Sequence, residues 1–232
     1  MFHMSERRIV LPGELLVEGG DYQPGLNVFK YGERLYASKI GVLSIVKQTV
    51  SVIALHGVYE PKVGDVVIGK VIDIGTFSWT VDIRSPYTAV LNASDYFKGR
   101  FNPARDSLIK ALKPGDMIIA QIADFDRTKN PTLTVQGPGL GGVTKGIIVE
   151  LTPSKIPRLI GRKGSMINLL KKEGRCQITI GKNGLIHIVG EKPEYEELVA
   201  QAIGKIEREA HTTGLTDRIM RLMKKERELN VS

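Results

Sequence analysis

The chain has 232 residues, 42% of them hydrophobic and 25% charged, with a formal net charge of +8. That is enough material for two or three compact domains, and the balance excludes collagen-like, low-complexity and disordered classes. No apolar run reaches membrane-spanning length, no charged-then-apolar leader is expected at the N-terminus, and a single cysteine, Cys176, excludes an internal disulfide framework and suits a reducing, cytoplasmic setting.

Residues 1–60 carry six basic and six acidic side chains and read as short β-rich runs broken by turns. Pro12-Gly13 interrupts RIVLPGELL, and Gly19-Gly20, Pro24-Gly25 and Gly32 punctuate VEGGDYQPGLNVFKYGERLYASKIGVL. LSIVKQTVSVIAL reads as one or two strands. With no helix-length periodicity, this block is expected to be a small β-sandwich or barrel. Its core would be marginal alone, and docking to a partner would offset that.

Residues 61–143 open with the punctuation of Pro61 and Gly64. Strand-like runs lie at 65–74, 77–83, 88–91, 116–125 and 132–136. The connection 92–115 holds a short helical possibility at ARDSLIKAL. Five strands with the long interruption after the third match the connectivity of an OB barrel, a fold that often binds single-stranded nucleic acid. GPGLGG (137–142) lacks the Lys-Ser/Thr ending of a P-loop and reads as a linker.

Residues 144–232 read strand 145–151, helix PSKIPRLI, a glycine turn, helix SMINLLKKEG, strand CQITIG, strand GLIHIVG, a long helix from Pro193, and a last helix over 216–230. Cys176, in an apolar strand, reads as a buried thiol. Between residues 153 and 182, eight Lys and Arg side chains face a single acid, Glu173. Such a local excess points to a polyanion, most simply nucleic acid; a charge run with no other signal would read only as a solvated face.

The order β-α-α-β-β-α, with Gly161-Arg162-Lys163-Gly164 between the first two helices, is the KH arrangement. The glycines break the helices and let the backbone approach a phosphodiester chain. Arg162 and Lys163 project at phosphates, and the helix N-terminus at Ser165 adds dipole attraction. Ile160, Lys155 and Arg158 flank this turn, and the apolar strand edge at Ile178 or Ile180 would close a groove for about four nucleotides. The last helix reads as packed on its own domain or a neighbour.

An N-terminal β domain (1–60), an OB domain (61–143) and one type I KH domain with an extra C-terminal helix (144–232), in that order, resemble the KH-containing RNA-binding cap subunits of the archaeal exosome. The specific marks are VLPGE at 10–14, VYEPKVGDVVIGKV at 58–71, GKVIDIGTFSWTVDI as the first two strands of an S-one type barrel, and GRKG. The resemblance covers essentially the whole chain. It implies a non-catalytic subunit, three copies of which sit on a hexameric ring of phosphorolytic exoribonuclease subunits. The N-terminal domain would dock on the ring, with Leu11, Pro12, Gly13 and Glu14 as candidate contacts. The S-one domains would surround the entrance, and the KH domains would lie outside. Single-stranded RNA would be the ligand, with no cofactor and no metal. Two positions where S-one domains often carry an RNA-contacting aromatic and a histidine are Thr80 and Asn92 here. Phe77 and Trp79 are the remaining stacking candidates, although Trp79 shares strand parity with Val81 and Ile83 and reads equally as core. Lys98, Arg100 and Arg105 are candidates for electrostatic guidance or for a solvated loop.

Rival readings are weaker. The four histidines (His3, His56, His187, His211) are scattered without metal-ligand spacing. Asp124 and Asp126 sit before a turn, where acids are common. A transcription-elongation or translation-associated factor with S-one and KH modules is the alternative, but such elongation factors carry two KH domains. A polynucleotide phosphorylase tail has the reverse domain order.

Overall fold

In the computed structural model, which describes residues 8–54, 58–99, 101, 102, 106–210, 212 and 214–229, the chain divides into two compact units, Met1–Gly57 and Val58–Ser232. In the first, runs of Val, Ile, Leu and Tyr too short for a helical face pair as seven strands: β1 (Ile9–Val10), β2 (Leu15–Glu18), β3 (Gln23–Pro24), β4 (Val28–Tyr31), β5 (Arg34–Ala37), β6 (Gly41–Val46) and β7 (Thr49–Ala54). They form two sheets, ordered β1-β6-β7-β3 and β2-β5-β4. The contiguous core is small: Val10, Ala37 and Val52, with Leu16, Val28 and Leu43 against them.

The second unit opens with five strands, β8 (Val66–Ile74), β9 (Ser78–Asp82), β10 (Thr88–Asn92), β11 (Met117–Asp124) and β12 (Thr132–Thr134). The pairing order β12-β10-β9-β8-β11, with a further β11–β12 ladder, closes the barrel, so the five-strand expectation holds. Register shifts in β8 at Val71/Asp73 and in β11 at Ile122/Asp124 supply the bending that closure needs. Period-two alternation sends Trp79, Val81, Ala89 and Leu91 inward to full burial. Within the long connection lie α1 (Ala93–Tyr96) and α2 (Leu108–Ala111). The glycine-rich segment departs from the linker reading. Gly141 and Gly142 form β13 and pair with Ile119 and Ile118 of β11. Backbone amides suffice for a ladder, and Gly141 adopts φ 131° there, which a side chain rarely permits.

The KH part contains β14 (Ile147–Glu150), α3 (Ile156–Ile160), α4 (Ser165–Gly174), β15 (Cys176–Ile180), β16 (Leu185–Gly190), α5 (Pro193–Glu209) and α6 (Leu215–Leu229). Its sheet is antiparallel in the order β14-β16-β15. Leu159, Leu170, Ile188, Val199, Ile203 and Ile219 anchor one continuous core. Pro193 at the start of α5 and acidic residues in its first turn fit helix initiation and the macrodipole. The α6 helix buries Leu215, Ile219 and Met223 in that same core, so it packs on its own domain.

Barrel and KH sheet share an apolar seam formed by Ile68, Ile119 and Leu185, with Val66, Met117, Leu140, Val143 and Ile148 around it. Asn183, in the β15–β16 turn, is 2% exposed. Its Nδ2 donates to the carbonyl oxygens of Ile68 (2.6 Å) and Ile83 (2.9 Å), and its Oδ1 accepts from the Ile68 amide (3.3 Å). A buried side-chain amide bonded through both its nitrogen and its oxygen fixes orientation more sharply than apolar contact alone. The Lys182 amide donates to Val66 O at 2.8 Å beside it, and Arg84 pairs with Glu150 at 2.7 Å.

Candidate nucleic-acid interface

The glycine turn is held by conformation as much as by composition. Gly161 has φ 76°, and a Cβ there would lie 2.8 Å from the Met166 amide nitrogen and 2.9 Å from Ser165 Oγ. No side chain fits. Gly164 caps α4 at φ 79°, ψ 12°, and Lys163 between them is itself left-handed at φ 50°, ψ 31°. A non-glycine residue in that region carries local strain of about 1–3 kcal/mol, which presents Lys163 on the outside of the turn. Arg162, Lys163 and Ser165 are exposed, and neither cation is ion-paired among the described residues. With a glycine at the N-cap, α4 has no side-chain cap, and the Ser165 amide donates to the Arg162 carbonyl oxygen across the turn; the positive end of the helix dipole still faces the turn. Lys171 and Lys172 continue the exposed positive surface along α4.

Two of the cations expected beside the turn have partners on other elements. Lys155 Nζ donates to Glu207 Oε1 at 2.7 Å and to Glu207 O at 2.8 Å. Glu207 also accepts from Thr152 N (3.0 Å) and Oγ1 (2.6 Å). Burial pushes the Glu207 carboxyl up, but the hydrogen bonds from Lys155 and Thr152 outweigh it and hold the group below its usual range. Arg158 Nη2 donates to Thr212 O at 2.7 Å. Both residues therefore brace the helix that leads into the turn. Ile178 is 6% exposed and belongs to the core, whereas Ile160 and Ile180 are half-buried at its margin. Of the two candidates for the apolar groove edge, Ile180 is the one left accessible. Cys176 is buried; its thiol donates to Gly174 O at 2.9 Å, and burial pushes its pKa up to about 11, consistent with an inert strand thiol.

On the barrel, Trp79 does not stack on a ligand. It is 0% exposed, and its Nε1 donates to Leu112 O at 3.1 Å. It anchors an aromatic series instead: Tyr96 at 5.1 Å, Phe97 at 6.3 Å, Phe101 stacked on Phe97 at 5.4 Å, and Phe77 edge-on to Phe101 at 6.2 Å. Phe77 emerges at 57% exposure. Phe101 escapes sequence reasoning, because it lies in a connection with no period to mark it. Thr80, half-buried, pairs with Val90, and Asn92, exposed, with Ser78; by alternation both lie on the face opposite Trp79 and offer small polar groups. Lys98 is exposed at φ 54°; Arg100 and Arg105 lie outside the described residues. Lys129 Nζ sits 2.9 Å from Asp124 and 3.6 Å from Asp126, which makes that acidic pair part of a turn.

In the first unit, Glu14 closes the VLPGE turn: its Oε2 accepts from the Leu11 amide at 2.8 Å and its other oxygen pairs with Arg8. Gly13 donates to Ala37 O at 2.8 Å. Leu11, 57% exposed, stands at the tip of this braced turn, and Ile9 (60%) and Tyr31 (77%) are also uncovered.

Comparison with known proteins matches every part. Residues 7–56 fit the family model of the exosome RNA binding protein RRP4 N-terminal domain, residues 58–124 that of the RRP4 S1 domain, and residues 146–194 that of the KH domain. The chain is 43% identical to the exosome complex component Rrp4 of Thermofilum pendens over 219 residues, 94% of this chain and 92% of that one. The same-named protein of Pyrococcus furiosus is 45% identical over 222 residues (95% and 84%), and that of Methanothermobacter thermautotrophicus 41% over 223 (96% and 70%). A crystal structure assigned to an exosome complex RNA-binding protein superposes with a TM-score of 0.71 at 45% identity, covering 75% of this chain and 99% of that chain.

Proposed function

The chain belongs to the Rrp4 family of exosome components, and from that premise we propose that it is a non-catalytic, cytoplasmic RNA-binding cap subunit. It captures single-stranded RNA and guides it to a hexameric phosphorolytic 3'-5' exoribonuclease ring, three copies to each ring. The observation that carries this reading is the GRKG turn, with two exposed cations that form no ion pair among the described residues, ahead of a helix without a side-chain cap.

Phosphates of the strand meet Arg162 and Lys163 at the positive end of the α4 dipole, while bases lie along the apolar margin at Ile160 and Ile180. Such contacts position the strand without specifying its sequence. Phe77 supplies a second, stacking contact on the barrel, worth roughly 1–3 kcal/mol per base. Because Asn183 and the apolar seam fix barrel and KH domain to each other, a strand held by one meets the other at high effective concentration. Leu11 at its braced turn is the foremost candidate for contact with the ring.

Co-purification of the full chain from cell extract tests the assignment. Recovery with phosphorolytic exoribonuclease subunits is expected; recovery alone, or only with ribosomes or RNA polymerase, contradicts it.

A further inference from the structure

The KH sheet has a second face, turned away from its helices. Alternation along β15 sends Cys176, Ile178 and Ile180 to the core and Gln177 and Thr179 to the opposite side. There Thr179 pairs with His187 and Gln177 with Val189 of β16. These four side chains line a groove of about 320 Å³ whose other wall is the segment from Gly139 to Lys145, including β13. A second hollow of about 560 Å³ shares Leu140, Gly141 and Gly142 with the first and is lined also by Tyr96, Lys98 and Gln136 of the barrel. Each has the size of an ordinary ligand site, roughly 300–1,000 Å³.

The chemistry of the walls is selective. The chain has 25 Asp and Glu residues, yet none lines either hollow among the described residues. Lys145 lines the first hollow and Lys98 the second, both exposed. Gln136, Gln177, Thr179 and His187 offer hydrogen-bonding groups; His187 Nε2 already donates to the Lys145 carbonyl oxygen at 2.8 Å. A Cβ added at Gly139 or Gly141 would meet nothing within 4 Å, so a ligand can come close to the backbone. β13 is the end strand of its sheet, and sheet edges of this kind make anion-binding concavities.

We propose that these two adjoining hollows form a path for single-stranded RNA between the barrel and the back of the KH sheet, distinct from the groove at the GRKG turn. The proposal rests on the RNA-binding reading above. A cation in each hollow, hydrogen-bonding side chains beside it and the exclusion of carboxylates suit a chain of phosphates carrying bases. A peptide strand adding to the edge is less well served, because β13 offers only Gly141 and Gly142 for a ladder.

The test uses the full chain and labelled oligouridylate of two lengths: a tetranucleotide, enough for a KH groove of about four nucleotides, and a strand of about 16 nucleotides, the upper site size of an OB module. Lys145→Glu with Gln177→Glu places two carboxylates in the path at exposed positions, with circular dichroism to verify the fold. The long strand should bind at least about fivefold more weakly at low salt, where phosphate contacts dominate, with the tetranucleotide unchanged. Lys98→Glu, in the second hollow, should act in the same direction. Arg162→Asp with Lys163→Asp should weaken both lengths. Unchanged long-strand affinity in both groove variants overturns the path and leaves RNA binding itself standing. Groove variants that keep RNA affinity but lose a protein partner on co-purification overturn it in favour of a peptide occupant. Failure of the unaltered chain to bind the long strand overturns the RNA-binding reading as well.

Discussion

The N-terminal unit and the KH domain place their apolar and charged residues in opposite ways. The first has a contiguous core of only Val10, Ala37 and Val52 and leaves Ile9, Leu11, Tyr31 and Ile53 more than half exposed. Its formal charges nearly cancel, six basic against five acidic side chains over residues 1–57. The KH domain buries a core running from Leu151 to Met223 and carries its uncompensated charge on an exposed turn and helix. Uncovered apolar surface favours a protein partner, while uncovered positive charge favours a polyanion. Under the proposed function, the two units therefore divide docking from RNA capture.

Removing residues 1–57 is the harshest test of that division. Ring co-purification should be lost entirely, while residues 58–232 retain RNA binding by anisotropy. Persistent assembly would move docking to another part of the chain.

Next in size is a pair of single substitutions that contrasts buried polarity with exposed apolar surface. Asn183→Ala leaves the carbonyls of Ile68 and Ile83 and one amide without their partner, and should lower the stability of the second unit by about 3 kcal/mol. Leu11→Ala, at an exposed site, should change stability by less than about 0.5 kcal/mol yet weaken ring binding. Denaturant melts read both, and equal small effects would mean that the Asn183 bonds do not hold the barrel and KH domain together.

The smallest stability effect concerns the brace behind the glycine turn. Glu207→Gln removes the charge that holds Lys155 and should cost about 0.5–1.5 kcal/mol at neutral pH. Because the Glu207 carboxyl is held below its usual range, its contribution is present above the ordinary carboxylate pKa and is lost as pH falls through the depressed one. The stability difference between wild type and variant should therefore shrink below about pH 4.3. A difference independent of pH would locate the effect in packing rather than in charge.

The elements that local chemistry dictates are legible in the sequence. Strand alternation marks the barrel, and the order of elements around Gly161 and Gly164 marks the KH domain, because period and turn chemistry act within a few residues. What escapes depends on partners distant in the chain. Lys155 and Arg158 read as strand-facing cations in sequence because the groups that hold them, Glu207 and Thr212, lie more than fifty residues on. Asn183, between two strands, carries no local mark because its partners lie in another domain. Trp79 divides between surface and core; its parity with Val81 points inward, and its burial settles the matter. Glycines 137–142 suggest a linker because pairing through the backbone leaves no side-chain signal.

The central claim is that Arg162 and Lys163 hold phosphates, and RNA affinity against salt tests it most directly. Arg162→Asp with Lys163→Asp keeps both glycines of the turn, so circular dichroism should match the unaltered protein. Loss of two single-strand phosphate contacts should reduce the slope of log affinity against log salt by roughly 1.4, at about 0.7 per contact, and the loss should be similar for all RNA sequences. An unchanged affinity and slope in the folded variant would contradict the account and make the GRKG turn a structural feature, with RNA held elsewhere on the chain.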